Sequence, residues 1–169
     1  MTGKPNFLFF ITDQHRADYL GCYGHPVLKT PHIDSIAKRG RQFDRFYVAN
    51  PVCMPNRSTL MTGRMPSLHG VRHNGIPLSL RANTFTEILR AGGWRTALVG
   101  KSHLQNMTPL PPIMERAAIN PDHVPPGDGL AEATLPIPDD GPYDQEHPKR
   151  WARGEFAPMS LPFYGFDHV

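Results

Sequence analysis

Two hydrophobic periods share the first hundred residues. Residues 6–12, "NFLFFIT", form an unbroken apolar run of aromatic and branched side chains that stops at Asp13, a pattern that predicts a buried strand of a parallel sheet. "TPHIDSIAKRG" then changes to helical spacing: Thr30 stands at the N-cap position, Pro31 at the first helical position, Ile33, Ile36 and Ala37 on one face, and Gly40 at the stop. "QFDRFYVAN" alternates, which predicts a second strand ending near Ala49. Pro55 to Thr62 is expected to make two helical turns closed by Gly63. "NTFTEILRAGG" opens on a capping-box pattern, Thr84 to Glu87, and closes on glycine. "WRTALVG" reads as a third strand with Lys101 and His103 at its end.

This alternation predicts an α/β fold with a largely parallel sheet and flanking helices. Asp13, Cys53 and the Lys101 to His103 group each fall just beyond the carboxyl end of an expected strand, where open α/β sheets bind ligands. From Met107 the pattern breaks down, because 12 of the 19 prolines lie in the last 63 residues. The expected organisation is therefore an α/β portion over residues 1–106, a proline-rich irregular insertion or lid over 107–160, and the start of a further strand over 161–169.

Composition narrows the class. A chain of 169 residues with 39% apolar and 20% charged residues is an ordinary globular one. No apolar run approaches the roughly 20 residues of a bilayer span, and the N-terminal apolar stretch has no small-residue cleavage site, so neither a membrane partner nor a signal peptide is expected. Two cysteines make no disulfide framework, and a cytoplasmic location is the default expectation. Charge is divided unevenly: residues 1–106 hold 14 Lys and Arg against 5 acids, the remainder 4 against 10. A basic half without interleaved aromatics or a basic helix points to a small anionic substrate rather than to nucleic acid.

Cys53 in "NPVCMPNRSTLMTGR" focuses the question of chemistry. A cysteine-nucleophile phosphatase would need arginine where Thr59 stands, and no zinc-ligand spacing surrounds either cysteine. A buried inert cysteine is the plain alternative. Against it, a helix starting at Pro55 would point N–H groups toward residue 53 and favour an anion there, with Arg57 adding a positive fork one turn in.

Cys53, Pro55 and Arg57 in "CMPNRSTLMTGR" resemble the signature of the type I sulfatases and the related phosphonate monoester hydrolases of the alkaline-phosphatase superfamily. "PNFLFFITDQHRADYLGCYG", "TPHIDSIAKRGRQFDRFYV" and "GWRTALVGKSHL" resemble that family's successive N-terminal blocks, and "YGFDHV" returns to it weakly. The resemblance implies an alkaline-phosphatase-like α/β fold. It also implies that Cys53 is oxidised to formylglycine by a formylglycine-generating enzyme, a transient partner. The aldehyde hydrate would attack sulfur or phosphorus, displace the alcohol, then release the anion and restore the aldehyde.

By the same resemblance Asp13 and residue 53 would ligate one divalent cation, Ca2+ or Mn2+ with Mg2+ a third option. Arg57 would hold the nucleophile's oxygens. Lys101 and His103 would offset oxyanion charge and assist proton movement, Lys101 also binding substrate. Asn74 is a further candidate for substrate binding; His69 and His73 read as packing or surface residues. Gln14 follows Asp13 where many sulfatases have a second acid; the pair resembles the phosphonate monoester hydrolase branch and some sulfatases, which leaves sulfate one of two substrates. Family members are much longer and carry further metal ligands downstream, so the fold is expected to be C-terminally incomplete. The implied function is hydrolysis of sulfate esters. Phosphonate or phosphate ester hydrolysis is the first alternative, and an inactive truncated fragment acting at most as a binding module is the second.

Overall fold

A computed structural model describes residues 3–115, 141–154 and 162–169. The chain divides into two compact units, one ending at Tyr47 and the other running Val48–Val169.

In the first unit, two 3-10 turns, Ala17–Tyr19 and Gly21–Tyr23, precede helix α1, Pro31–Arg39. Pro31 starts α1 and Gly40 ends it, as the sequence predicts, but the Thr30 hydroxyl does not cap the helix. It accepts the Gly21 N–H at 2.8 Å and donates to Asp34 Oδ1 at 2.7 Å, while the Cys22 N–H donates to that same oxygen at 2.8 Å. Thr30 and Asp34 thus tie the turn to the helix. The approach is close at Gly21, where a Cβ would lie 2.4 Å from Asp34 Oδ2 and displace that carboxylate.

The second unit holds α2, Cys53–Thr62; α3, Pro66–His69; α4, Phe85–Ala91; and α5, Pro148–Ala152. Helix α2 begins at Cys53 rather than at Pro55, because proline fits the first turn, where its missing N–H breaks no helical bond. Gly63 closes it in the left-handed conformation at φ +68°. The capping box on α4 forms as predicted: Thr84 Oγ1 accepts the Glu87 N–H, and the Glu87 carboxylate accepts the Thr84 N–H. Met54, Met61, Val71, Ile76, Leu78, Leu104, Tyr143, Phe163 and Tyr164 make up the core.

The expectation of an α/β fold with a largely parallel, alkaline-phosphatase-like sheet is overturned. Among the described residues there is no β-strand; isolated bridges pair Ala97 with His168 in parallel and Phe163 with Phe166 in antiparallel sense. Apolar alternation sets an extended backbone locally, but a ladder requires a neighbouring strand and a covering layer. Among the described residues no ladder extends beyond a single bridge and these segments lack cover: Leu8 is 93% exposed, Val99 97%, and Phe10, Phe46 and Tyr47 are similarly open.

The last described segment closes the core instead. The Leu98 N–H donates to the His168 carbonyl at 2.9 Å, and the Tyr164 hydroxyl donates to the Leu78 carbonyl at 2.6 Å. Thr84 and Thr86 both donate to the Tyr164 carbonyl. Gly165, at φ +84°, lies so close to α4 that a Cβ would stand 2.4 Å from the Glu87 nitrogen. None of the described helices is long and apolar enough to cross a membrane.

Candidate active site

The approach to α2 is shaped by a side chain that mimics a turn. Asn50 Oδ1 accepts the Val52 N–H at 2.8 Å, and Val52 remains extended before Cys53 opens the helix. Cys53 is half-buried. Arg57 follows four residues later, on the same helical face. Its guanidinium Nη1 donates to the Lys101 carbonyl oxygen at 2.8 Å. The arginine of the signature helix is thereby fastened to the loop that carries Lys101 and His103.

That loop has an unusual backbone. His103 adopts φ +51°, a left-handed conformation that a non-glycine residue adopts at a cost, and Gly100 precedes it at φ +98°. The amides of His103, Leu104 and Gln105 all donate to the Glu146 carboxylate, at 2.6, 2.7 and 2.8 Å. Glu146, His103, Leu104 and Gln105 are buried, whereas Lys101 is exposed. Gln105 and Gln145 add a reciprocal pair: the Gln145 N–H donates to Gln105 Oε1 at 2.8 Å, and Gln105 Nε2 donates to Gln145 Oε1 at 3.3 Å.

The second unit therefore contains Cys53, Arg57, Asn74, Lys101 and His103 together, and the Arg57 bond joins the helix to the Lys101 loop. Asn74 acts here on the helix: its Oδ1 accepts the Met54 N–H at 3.0 Å. One first-turn donor expected for an anion, the Met54 N–H, is thus taken by the chain itself, and Pro55 has none to offer. His69 is buried; its Nδ1 accepts the Val71 N–H at 3.1 Å, so Nε2 carries the proton and donates to the Thr59 hydroxyl at 3.0 Å. It is a packing residue. The exposed His73 contacts the Asn74 carbonyl through Nδ1 at 2.9 Å.

Asp13 lies in the first unit, exposed, and is followed by Gln14 at φ +49°. Among the described residues no three His, Cys, Asp or Glu side chains gather where they could hold a metal ion. Asp13 and residue 53 would provide two of the six or more oxygen ligands of a hard cation, so the described residues alone do not make up the expected metal site.

Glu146 is the residue that sequence reasoning did not find. One of two acids in "DQEHP", within a proline-rich segment, it carries no spacing or motif that distinguishes it. Its 41- to 43-residue separation from its partners is visible only in three dimensions.

Comparison with known proteins bears on the family to which the chain belongs. A family model described as Sulfatase matches residues 5–110. The chain is 35% identical over 103 residues to an N-acetylglucosamine-6-O-sulfatase of Bacteroides thetaiotaomicron, a match covering 61% of this chain and 18% of that protein. It is 41% identical over 101 residues to an ulvan-active sulfatase of Formosa agariphila, covering 60% and 20% respectively. A longer match, 32% identity over 174 residues, relates it to the N-acetylgalactosamine-6-sulfatase of Canis lupus familiaris, with 89% of this chain and 33% of that protein covered. The chain thus spans about a fifth to a third of the length of these relatives. With the family model matching well over half of its residues and the signature helix joined to the Lys101 loop, the chain belongs to the sulfatase family.

Proposed function

We propose that this chain supplies the nucleophile-bearing part of a hydrolase of sulfate monoesters. The observation that carries the proposal is the 2.8 Å bond from Arg57 to the Lys101 carbonyl, which joins the residue-53 helix to the Lys101–His103 loop. Formylglycine derived from Cys53 would supply a geminal diol as nucleophile, activated by a divalent cation that requires ligands beyond the described residues.

The chain's own residues account for the rest. Arg57 is fixed through Nη1, four residues beyond residue 53 on the same helix, where its charge favours the anionic ester and its planar group suits oxygens at residue 53. The exposed Lys101 ammonium can meet a sulfate oxygen from solvent and offset charge as the ester bond lengthens. His103, on a loop pinned by three backbone bonds, is suited to moving a proton at the leaving-group oxygen. Conversion of Cys53 requires a formylglycine-generating enzyme as a transient partner.

The test has two parts. Peptide mass spectrometry of the purified protein should find an aldehyde in place of the thiol at residue 53. 4-Nitrophenyl sulfate should be turned over when Ca2+ or Mn2+ is added. N-acetylglucosamine 6-sulfate is the second probe, since the names of two relatives refer to 6-sulfated amino sugars. Turnover of phenyl phosphonate esters in preference to either sulfate would move the assignment to the phosphonate branch, which the Asp13–Gln14 pair resembles as it does some sulfatases. An aldehyde at residue 53 with no turnover of any ester would leave a binding module and refute the hydrolase reading for this chain.

A further inference from the structure

We propose that Glu146 is a positioning residue for the Lys101–His103 loop; its catalytic consequence rests on the hydrolase reading above. Three successive amides, those of His103, Leu104 and Gln105, point into one small concavity and are met by a single buried carboxylate. Oε1 takes the His103 N–H, and Oε2 takes the other two. Successive N–H groups around a left-handed residue form an anion-binding nest, and His103 at φ +51° supplies that conformation. The anion that fills the nest belongs to the chain itself.

The consequence for the site follows from connectivity. The loop is held from one side at the Lys101 carbonyl by Arg57 and from the other at residues 103–105 by Glu146. His103 lies between these two anchors. Its backbone conformation fixes where its side chain begins, so the carboxylate governs the presentation of the histidine without touching substrate. The anchor is itself secured. Tyr143 is buried and its hydroxyl accepts the Leu80 N–H at 3.3 Å, and the Trp151 indole N–H donates to the Gln145 carbonyl at 2.9 Å. A local stretch of the proline-rich segment, residues 143–151, thus docks behind the Lys101 loop.

Glu146→Gln keeps the volume but replaces one acceptor oxygen by an NH2 group that faces backbone donors. Tyr143→Phe is the control: it loosens the same docked stretch and leaves the nest intact. In hydrogen-exchange measurements on the intact protein, amides 103–105 should exchange at least about tenfold faster in Glu146→Gln than in wild type or Tyr143→Phe. With 4-nitrophenyl sulfate, Glu146→Gln should lower kcat at least about tenfold while KM stays within about threefold, and Glu146→Asp should restore part of kcat. Unchanged exchange at 103–105 overturns the clamp. Faster exchange with wild-type kcat overturns the positioning role. Should wild type turn over none of the esters, the hydrolase reading falls by itself, and the exchange comparison still decides whether Glu146 holds the loop.

Discussion

Arg57 and Lys101, 44 residues apart in the chain, meet through a 2.8 Å hydrogen bond from guanidinium to backbone carbonyl. The contact makes the arginine both a charge and a brace, because the group that carries the charge also fixes the loop. Lysine at position 57 could provide the charge but not a planar fork serving two acceptors at once. Arg57→Lys should therefore lower kcat/KM on an aryl sulfate by at least about 100-fold, with kcat bearing most of the loss. Steady-state kinetics on the folded variant would check this, and a loss confined to KM would show that the arginine only binds.

The two cysteines should behave in opposite ways. Cys53→Ala removes the residue to be converted and should abolish turnover, whereas Cys22→Ala should leave it nearly intact. Desolvation, with the adjacent Asp34 carboxylate second, raises the Cys22 thiol above its ordinary range and keeps it protonated. Alkylation at neutral pH should accordingly be slow at Cys22, as timed peptide mass spectrometry can follow.

Alkaline stability should depend on Tyr164. Burial holds its phenol well above the ordinary 10.0, so the neutral form is the one the fold requires. The associated stability is fully present below pH 10 and is lost as pH rises beyond it toward the folded value. Tyr164→Phe also leaves the Leu78 carbonyl without its 2.6 Å donor, a loss of about 1–3 kcal/mol at neutral pH. Urea titrations at pH 7 and above pH 10 should show the variant weaker at the first and less sensitive to the change. Parallel losses at both values would remove Tyr164 as the source of the alkaline transition.

On the acid side Asp167 has the corresponding part. The Thr96 N–H, first, and the Arg90 guanidinium hold its carboxyl below the ordinary 3.8. A depressed value contributes stability that is present above pH 3.8 and is lost as pH falls through the folded value. Asp167→Asn should flatten that acid dependence, read from the Thr96 amide shift by NMR titration. A Thr96 shift that titrates identically in both proteins would exclude Asp167 as its cause.

What the sequence reveals here is mostly local. Pro31 and Gly40 bound α1, Gly63 ends α2, and Thr84 with Glu87 starts α4, because capping is decided within one or two turns. The candidate residues are grouped in the same local way: Cys53, Pro55 and Arg57 share one helix, and Lys101 and His103 one short loop. The sheet was not legible. Residues 6–12 have the composition of a strand but form none, and Leu8 and Phe10 stay exposed. Glu146 was equally hidden, because a carboxylate that binds backbone amides selects no side-chain partner and so leaves no pairwise pattern.

The Glu146 bonds close a ring of chain from Gln105 to Glu146 whose two ends are joined. Ring closure becomes costlier only slowly with length, by about 0.6 kcal/mol for each doubling. Residues can thus be added or removed between Asn106 and Tyr143 at small thermodynamic penalty, provided the clasp persists. Such a change of length would leave the histidine beside the clasp in its place.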